Sequence, residues 1–343
     1  MLIIFIIIFL CIISSLSFSK GTIRSDYASK AVTQPIKGLF TAYVFLSHAR
    51  QYAVFVHPAD LLVIHYLDYL GQLMVAPFLF YSGYGIFESI KKKGSHYVRS
   101  IPANRIGKTF FDFAFAIVLF LITGQFIEKS YSWKQILLSL TGWTSVGNSN
   151  WYMFAIFALY IMTYMSFRFL DNKNFTALCV MTILSLIYVY VMSGLQPDRF
   201  SNTALCYVAG MWYSYFKEKT DILLTSHNTI YYIMTVLLLV TYMYCYPLRS
   251  IRILYFNAVS VLYCLCIIFI SMKITTDSKV LNWFGEHLFW IYILQRIPMN
   301  LLEYHGIAAQ SPYIFLGVSL VLTLLMAQYI PLFTKKAKSF IWH

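Results

Sequence analysis

The chain is a succession of apolar runs about twenty residues long, joined by short stretches that hold nearly all of its Lys and Arg. A bilayer core about 30 Å thick needs about 20 apolar residues per helix, and each backbone N–H and C=O must find its partner within the protein. The runs predict membrane helices at 38–56, 67–87, 109–127, 150–168, 175–193, 202–216, 229–247, 253–271, 281–301 and 313–333, with a further run at 2–18. The expected fold is an all-α integral membrane protein. A ten-helix transmembrane bundle occupies 31–335, one additional N-terminal hydrophobic helix lies in 1–19, and a basic tail follows at 336–343. Only 11% of the 343 residues are charged against 59% hydrophobic, which excludes soluble and disordered classes.

The net charge of +13 has two readings, a nucleic-acid footprint or membrane topology. The cations lie between apolar runs rather than on a polar domain, which favours topology and no nucleic-acid partner. With the loop 88–108 taken as cytoplasmic, 19 Lys and Arg fall on that side and 5 on the other. The positive-inside bias then predicts a cytoplasmic C-terminus at His343 and a multi-pass protein of the cytoplasmic (inner) membrane. Run 2–18 lacks the basic start of a signal peptide, and its removal would invert every loop, so it reads as a retained helix with its N-terminus outside. The six cysteines all lie in apolar runs without redox or zinc spacing, so no metal is expected.

Ionisable groups within a bilayer cost about 2.5–3.5 kcal/mol at a helix centre, so each one is a functional candidate. The first long helix holds KGLFTAYVFLSHARQY, which puts His48 and Arg50 inside it and His48 roughly 16 Å beyond Lys37. FLFYSGYG, which includes Tyr84, precedes the basic loop. At its end Arg105 and Lys108 are three residues apart, a spacing that puts both on one helical face, where they suit a phosphate-rich ligand. NSNWYMF offers Asn150 and Trp151 to sugar hydroxyls or to the membrane interface. LNWFGEHLFWIYILQRIP carries Glu286, His287, Gln295 and Arg296 in one apolar stretch. Hydrolase, P-loop, dinucleotide and zinc-protease patterns are missing from the sequence.

These residues, in this order, resemble the membrane-bound acyltransferase family 3, bacterial membrane enzymes that O-acylate cell-surface glycans. The likeness covers most of 31–335. It rests on the Lys37 and His48 pair eleven residues apart, FLFYSGYG, the Arg105-x-x-Lys108 pair, NWYMF, ALCYVAGMWYSYF and FGEHLFWIYILQ. It implies a catalytic His48, with Arg50 or a neighbouring polar side chain at the oxyanion, and acyl-CoA held by Lys37, Arg105 and Lys108. Acceptor contacts are expected from Tyr84, Asn150, Trp151, Gln295 and Arg296. Lys37 and Lys108 stand where the family commonly has arginine, which removes a bidentate fork but keeps the charge. Gln295 stands where histidine is frequent, and the run 2–18 is additional to the usual ten helices.

The resemblance implies transfer of an acyl group, acetyl above all, from cytoplasmic acyl-CoA to a hydroxyl of an extracytoplasmic or lipid-linked saccharide. Acetyl-CoA would act as a cosubstrate, with no tightly bound cofactor. The competing expectation is a transporter or flippase of a lipid-linked saccharide, with His48, Arg50, Glu286 and Arg296 along its route. A purely structural membrane subunit would need none of these charges.

Overall fold

In the computed structural model, which describes all residues except 20, 22, 171, 172, 227, 342 and 343, the chain is helical almost throughout. The helices are α1 (Leu2–Ile13), α2 (Lys30–Ala49), α3 (Pro58–Leu70), α4 (Ala76–Ile101), α5 (Lys108–Phe126), α6 (Trp133–Leu140), α7 (Trp151–Phe169) and α8 (Asn174–Leu195). They continue with α9 (Leu205–Ser226), α10 (Asn228–Cys245), α11 (Ile253–Ser271), α12 (Lys279–Glu286), α13 (Leu288–Leu294), α14 (Arg296–Tyr304), α15 (Ile307–Gln310) and α16 (Pro312–Ile341). The described strands are β1 (Leu16–Phe18) and β2 (Ile274–Thr276), paired antiparallel with Leu16 opposite Thr276.

Helices α5, α7, α8, α10 and α11 begin and end within two residues of the expected spans. Six helical stretches among the described residues are long and apolar enough to cross a membrane, one of them the run 58–126, in which α3, α4 and α5 follow one another across turns at Gly71 and Gly94 and which holds two of the expected spans. The expected ten is not reached by that measure, for physical reasons visible in the sequence. Helix α2 carries Lys30, Lys37 and His48, and α9 carries Lys217, Glu218, Lys219 and Asp221. The expected helix 281–301 is divided into α12, α13 and α14, with breaks at His287 and Gln295.

Four further expectations are corrected. Helix α2 starts eight residues early and ends at Ala49, so His48 lies in its last turn and Arg50 is its C-cap rather than an intrahelical charge. Helix α1 has 12 residues, roughly 18 Å, which is shorter than a bilayer core, and the rest of run 2–18 forms β1. The expected tail from 336 onward continues α16 as far as Ile341, where Lys338 pairs with Asp112 at 2.6 Å; His343 lies outside the described residues. Residues Pro102–Gly107 form a π-helical turn, so the α-helical spacing that put Arg105 and Lys108 on one face does not apply between them.

Two glycine crossings set the positions of the helices that matter for the site. A Cβ on Gly83 would lie 1.9 Å from the Tyr207 carbonyl oxygen, and one on Gly210 would lie 2.0 Å from that of Phe80, so α4 and α9 meet backbone to backbone. The same reciprocity joins α2 to α12: a Cβ on Gly38 would lie 1.9 Å from the Leu281 carbonyl oxygen, and one on Gly285 would lie 2.2 Å from that of Gln34. Small residues at such crossings permit the close van der Waals contact on which helix association in lipid depends.

Candidate functional site

Two polar cavities lie at different levels of α2, one beside Lys37 and one beside His48. The His48 cavity, about 350 Å3, is enclosed by the end of α2, Gln72, the loop 145–150, the start of α7, Arg199 and α14. Gly147, at φ +100°, lets that loop turn sharply. Asn148 Oδ1 accepts from the Val146 amide at 3.0 Å, and Asn150 Nδ2 donates to the Gly142 carbonyl at 2.7 Å. Both asparagines therefore use part of their amides to hold the loop, while Asn148 Nδ2 stays enclosed without a partner.

The break between α13 and α14 delivers Arg296 to this cavity, the setting in which irregular backbone is tolerated at membrane depth. Its Nε donates to Ser149 Oγ at 2.9 Å, Nη1 to the Tyr52 hydroxyl at 3.0 Å and Nη2 to Gln51 Oε1 at 2.6 Å. The Tyr52 hydroxyl donates in turn to Asn300 Oδ1 at 2.9 Å. Beside this ordered network His48 is different. Its Nδ1 is enclosed without a hydrogen-bond partner, as are the Tyr292 hydroxyl and Gln295 Oε1. The His48 and Tyr292 rings are 6.3 Å apart, and Tyr292 lies 5.5 Å from Tyr152. Unsatisfied buried polar atoms are costly, by about 1–3 kcal/mol each, so a cluster of them beside a cavity marks a place where a ligand would supply the missing partners.

Arg50 pairs with Asp68 at 2.6 Å and borders an adjoining cavity of about 230 Å3 with His48, Gln72 and Tyr292. It is thus near the imidazole but partly neutralised.

The Lys37 cavity, about 390 Å3, is lined by Lys30, Lys37, Lys92, Lys217, Tyr81, Tyr84 and Glu88 among others. Lys37 Nζ sits 5.5 Å from the centre of the Tyr81 ring. Glu88 is bound to Lys91 at 2.6 Å and to Ser214, and Lys217 is paired with Asp221, so Lys30, Lys37 and Lys92 form no ion pair among the described residues. At the mouth, burial pushes the Tyr27 hydroxyl well above its ordinary range and keeps it a donor to Asp221 at 2.6 Å. Arg105 does not line this cavity. Its Nε donates to the Tyr97 hydroxyl at 2.9 Å. Lys108, at the start of α5, does not line it either.

Of the acceptor candidates, Asn150, Trp151 and Arg296 share the His48 cavity, whereas Gln295 is fully buried, lines neither cavity and donates to the Tyr292 carbonyl at 3.0 Å. Tyr84 belongs to the Lys37 cavity, because two turns into α4 its side chain has passed to that level. Glu286 is exposed at the end of α12 and lines neither cavity, which weighs against a charged route through the bundle. The sequence reading missed Gln72, Tyr52, Arg199 and Asn300 at one end and Lys30, Lys92 and Lys217 at the other. Asn300 follows Arg296 by one turn and Lys30 precedes Lys37 by two, so helical spacing carried a signal for these two. Gln72 carried none. No group of three or more His, Cys, Asp or Glu converges among the described residues. No family model, no curated protein and no solved structure matches this chain.

Proposed function

We propose that the protein is a ten-helix membrane O-acyltransferase of the membrane-bound acyltransferase family 3 kind, which transfers an acetyl group from acyl-CoA to a saccharide hydroxyl. The observation that carries this reading is the unpartnered His48 Nδ1 in a cavity walled by amides, hydroxyls and arginine, with a separate lysine-rich cavity lower on the same helix. In this reading the Lys37 end is cytoplasmic and takes the phosphates of CoA, and the His48 end receives the acceptor.

In the reaction the neutral imidazole takes the proton of the acceptor hydroxyl as its oxygen bonds to the thioester carbonyl carbon. The resulting oxyanion accepts a hydrogen bond from the Tyr292 hydroxyl, a buried donor whose ring lies 6.3 Å from that of His48. The C–S bond then breaks, the ester forms, and the imidazolium returns its proton to the leaving sulfur. Arg296 and its partners fix the acceptor wall, and Arg50 lends positive charge. The test is acetyl transfer from labelled acetyl-CoA to glycan acceptors by the purified protein. A protein that binds saccharide but transfers no label returns weight to the transporter reading.

Two expected results follow from the sidedness. Cysteines placed at Lys92 and Lys134, both exposed, should be labelled from opposite faces of intact cells, above the background of the native thiols; labelling of both from outside refutes the orientation. Lys37→Gln should raise the KM for acetyl-CoA about tenfold, in line with the loss of one charge-assisted contact of about 1.5 kcal/mol, and leave kcat little changed. An unchanged KM removes Lys37 from the donor site.

A further inference from the structure

The His48 cavity contains two arginines, Arg199 and Arg296, and among the described residues no carboxylate lines it. Neither arginine forms an ion pair among those residues. Arg296 is half-buried and its three bonds go to neutral oxygens, on Ser149, Tyr52 and Gln51, so its charge is held in place without being cancelled. The Asn148 side chain is nine-tenths buried, lines the same cavity and keeps an Nδ2 donor with no acceptor; Gln72 Oε1 and His48 Nδ1 are enclosed there without partners too, but they are neutral groups and leave both guanidinium charges uncancelled. Arg199 is exposed at the rim, where it adds a second full charge.

A cavity built for a neutral sugar would balance its donors with carboxylates, because sugar hydroxyls both give and accept hydrogen bonds. Uncompensated guanidinium groups and a spare amide donor complement an acceptor-only ligand, for which arginine supplies the planar fork. We infer that the His48 cavity recognises an acidic saccharide, one that carries a carboxylate or phosphate on or beside the acylated ring. The inference rests on the proposed function only in taking the ligand to be a saccharide.

The experiment measures binding to the purified protein in detergent without acetyl-CoA, so that it does not depend on acyl transfer. The probes are a disaccharide containing glucuronic acid, the same disaccharide with glucose in its place, and a glucose 1-phosphate-containing counterpart. At least one anionic probe should bind about tenfold more tightly than the neutral one, and the tighter of the two identifies carboxylate or phosphate as the recognised group. Raising salt from about 50 to 500 mM should weaken anionic binding and leave the neutral probe unaffected. Arg199→Gln, a rim substitution outside the Arg296 network, should reduce the ratio of anionic to neutral affinity about threefold or more. Equal affinity for all three probes, no measurable affinity for either anionic one, or a preference untouched by both salt and Arg199→Gln overturns the inference. If acetyl transfer fails while anionic selectivity holds, it is the acyltransferase reading that falls.

Discussion

His48→Gln is expected to lower acetyl transfer by about 10²–10⁴-fold while the protein folds normally and keeps its KM for acetyl-CoA. Glutamine approximates the imidazole in reach and polarity but cannot take up a proton near neutral pH. A structural histidine would be recognised by a well-formed bond, and His48 Nδ1 has none, with only the Gln295 amide close by. The substitution therefore has little to lose in stability, and a fall in turnover separates proton transfer from packing. Arg50 is the control, bordering the adjoining cavity beside His48 and already engaged with Asp68 at 2.6 Å. Its replacement by glutamine should cost less than that of His48. Near-normal turnover of purified His48→Gln would refute the catalytic role.

What the sequence made legible was governed by length and period. Apolar runs without charges, such as 109–127 and 253–271, became helices close to where they were expected, because an uninterrupted run in lipid has one way to satisfy its backbone. The misjudged segments are those where tertiary contacts decide. Helix α2 begins at Lys30 because Ser29 caps it, its hydroxyl accepting from the Val32 amide at 3.4 Å, and because α12 covers its polar first turns. The breaks at His287 and Gln295 leave only indirect traces, Gly285 two residues before the first and Pro298 three residues after the second, whose missing N–H cannot bond the Leu294 carbonyl. Arg105 and Lys108 were placed on one face by α-helical spacing, a rule that the π-turn beneath them suspends.

Legibility of the site followed the same logic. Residues drawn from one helix, such as Lys37 and His48, or adjacent in sequence, such as Asn150 and Trp151, were within reach of spacing arguments. The His48 cavity is instead assembled from five separated segments, and Gln72 and Arg199 enter it only because α3 and α8 end and α4 begins at that level. Charge alone would have directed attention to the basic loop after Gly94. The cations that reach the Lys37 cavity come also from α2 and α9.

The most disruptive substitutions expected are not in either cavity. Gly38→Val should abolish both ends of the site together, since α2 carries Lys37 on one level and His48 on the other and is held by its contact with α12. At Gly38 even the first added carbon would fall 1.9 Å from the Leu281 carbonyl oxygen and 3.0 Å from the Gly285 amide nitrogen, neither of which can turn aside as a side chain would. Relief requires the two helices to part, with loss of the reciprocal contact of Gly285 on Gln34. Overpacking of this kind costs about 1–3 kcal/mol where side chains can yield, and backbone against backbone lies at or beyond the upper end. Gly83→Val should do the same to α4 and α9, where 1.9 Å separates the added carbon from the Tyr207 carbonyl oxygen. Gly317→Ala in α16 is the control, because nothing lies within 4 Å of its added carbon and alanine favours the helix by about 1 kcal/mol. The measurement is the yield of monodisperse protein in detergent together with its Tm. Both valine variants should lose most of the folded fraction, whereas Gly317→Ala should match or exceed the parent. A Gly38→Val protein with parental Tm would mean that α2 and α12 do not meet at this distance, and the common scaffold for the two cavities would have to be sought elsewhere.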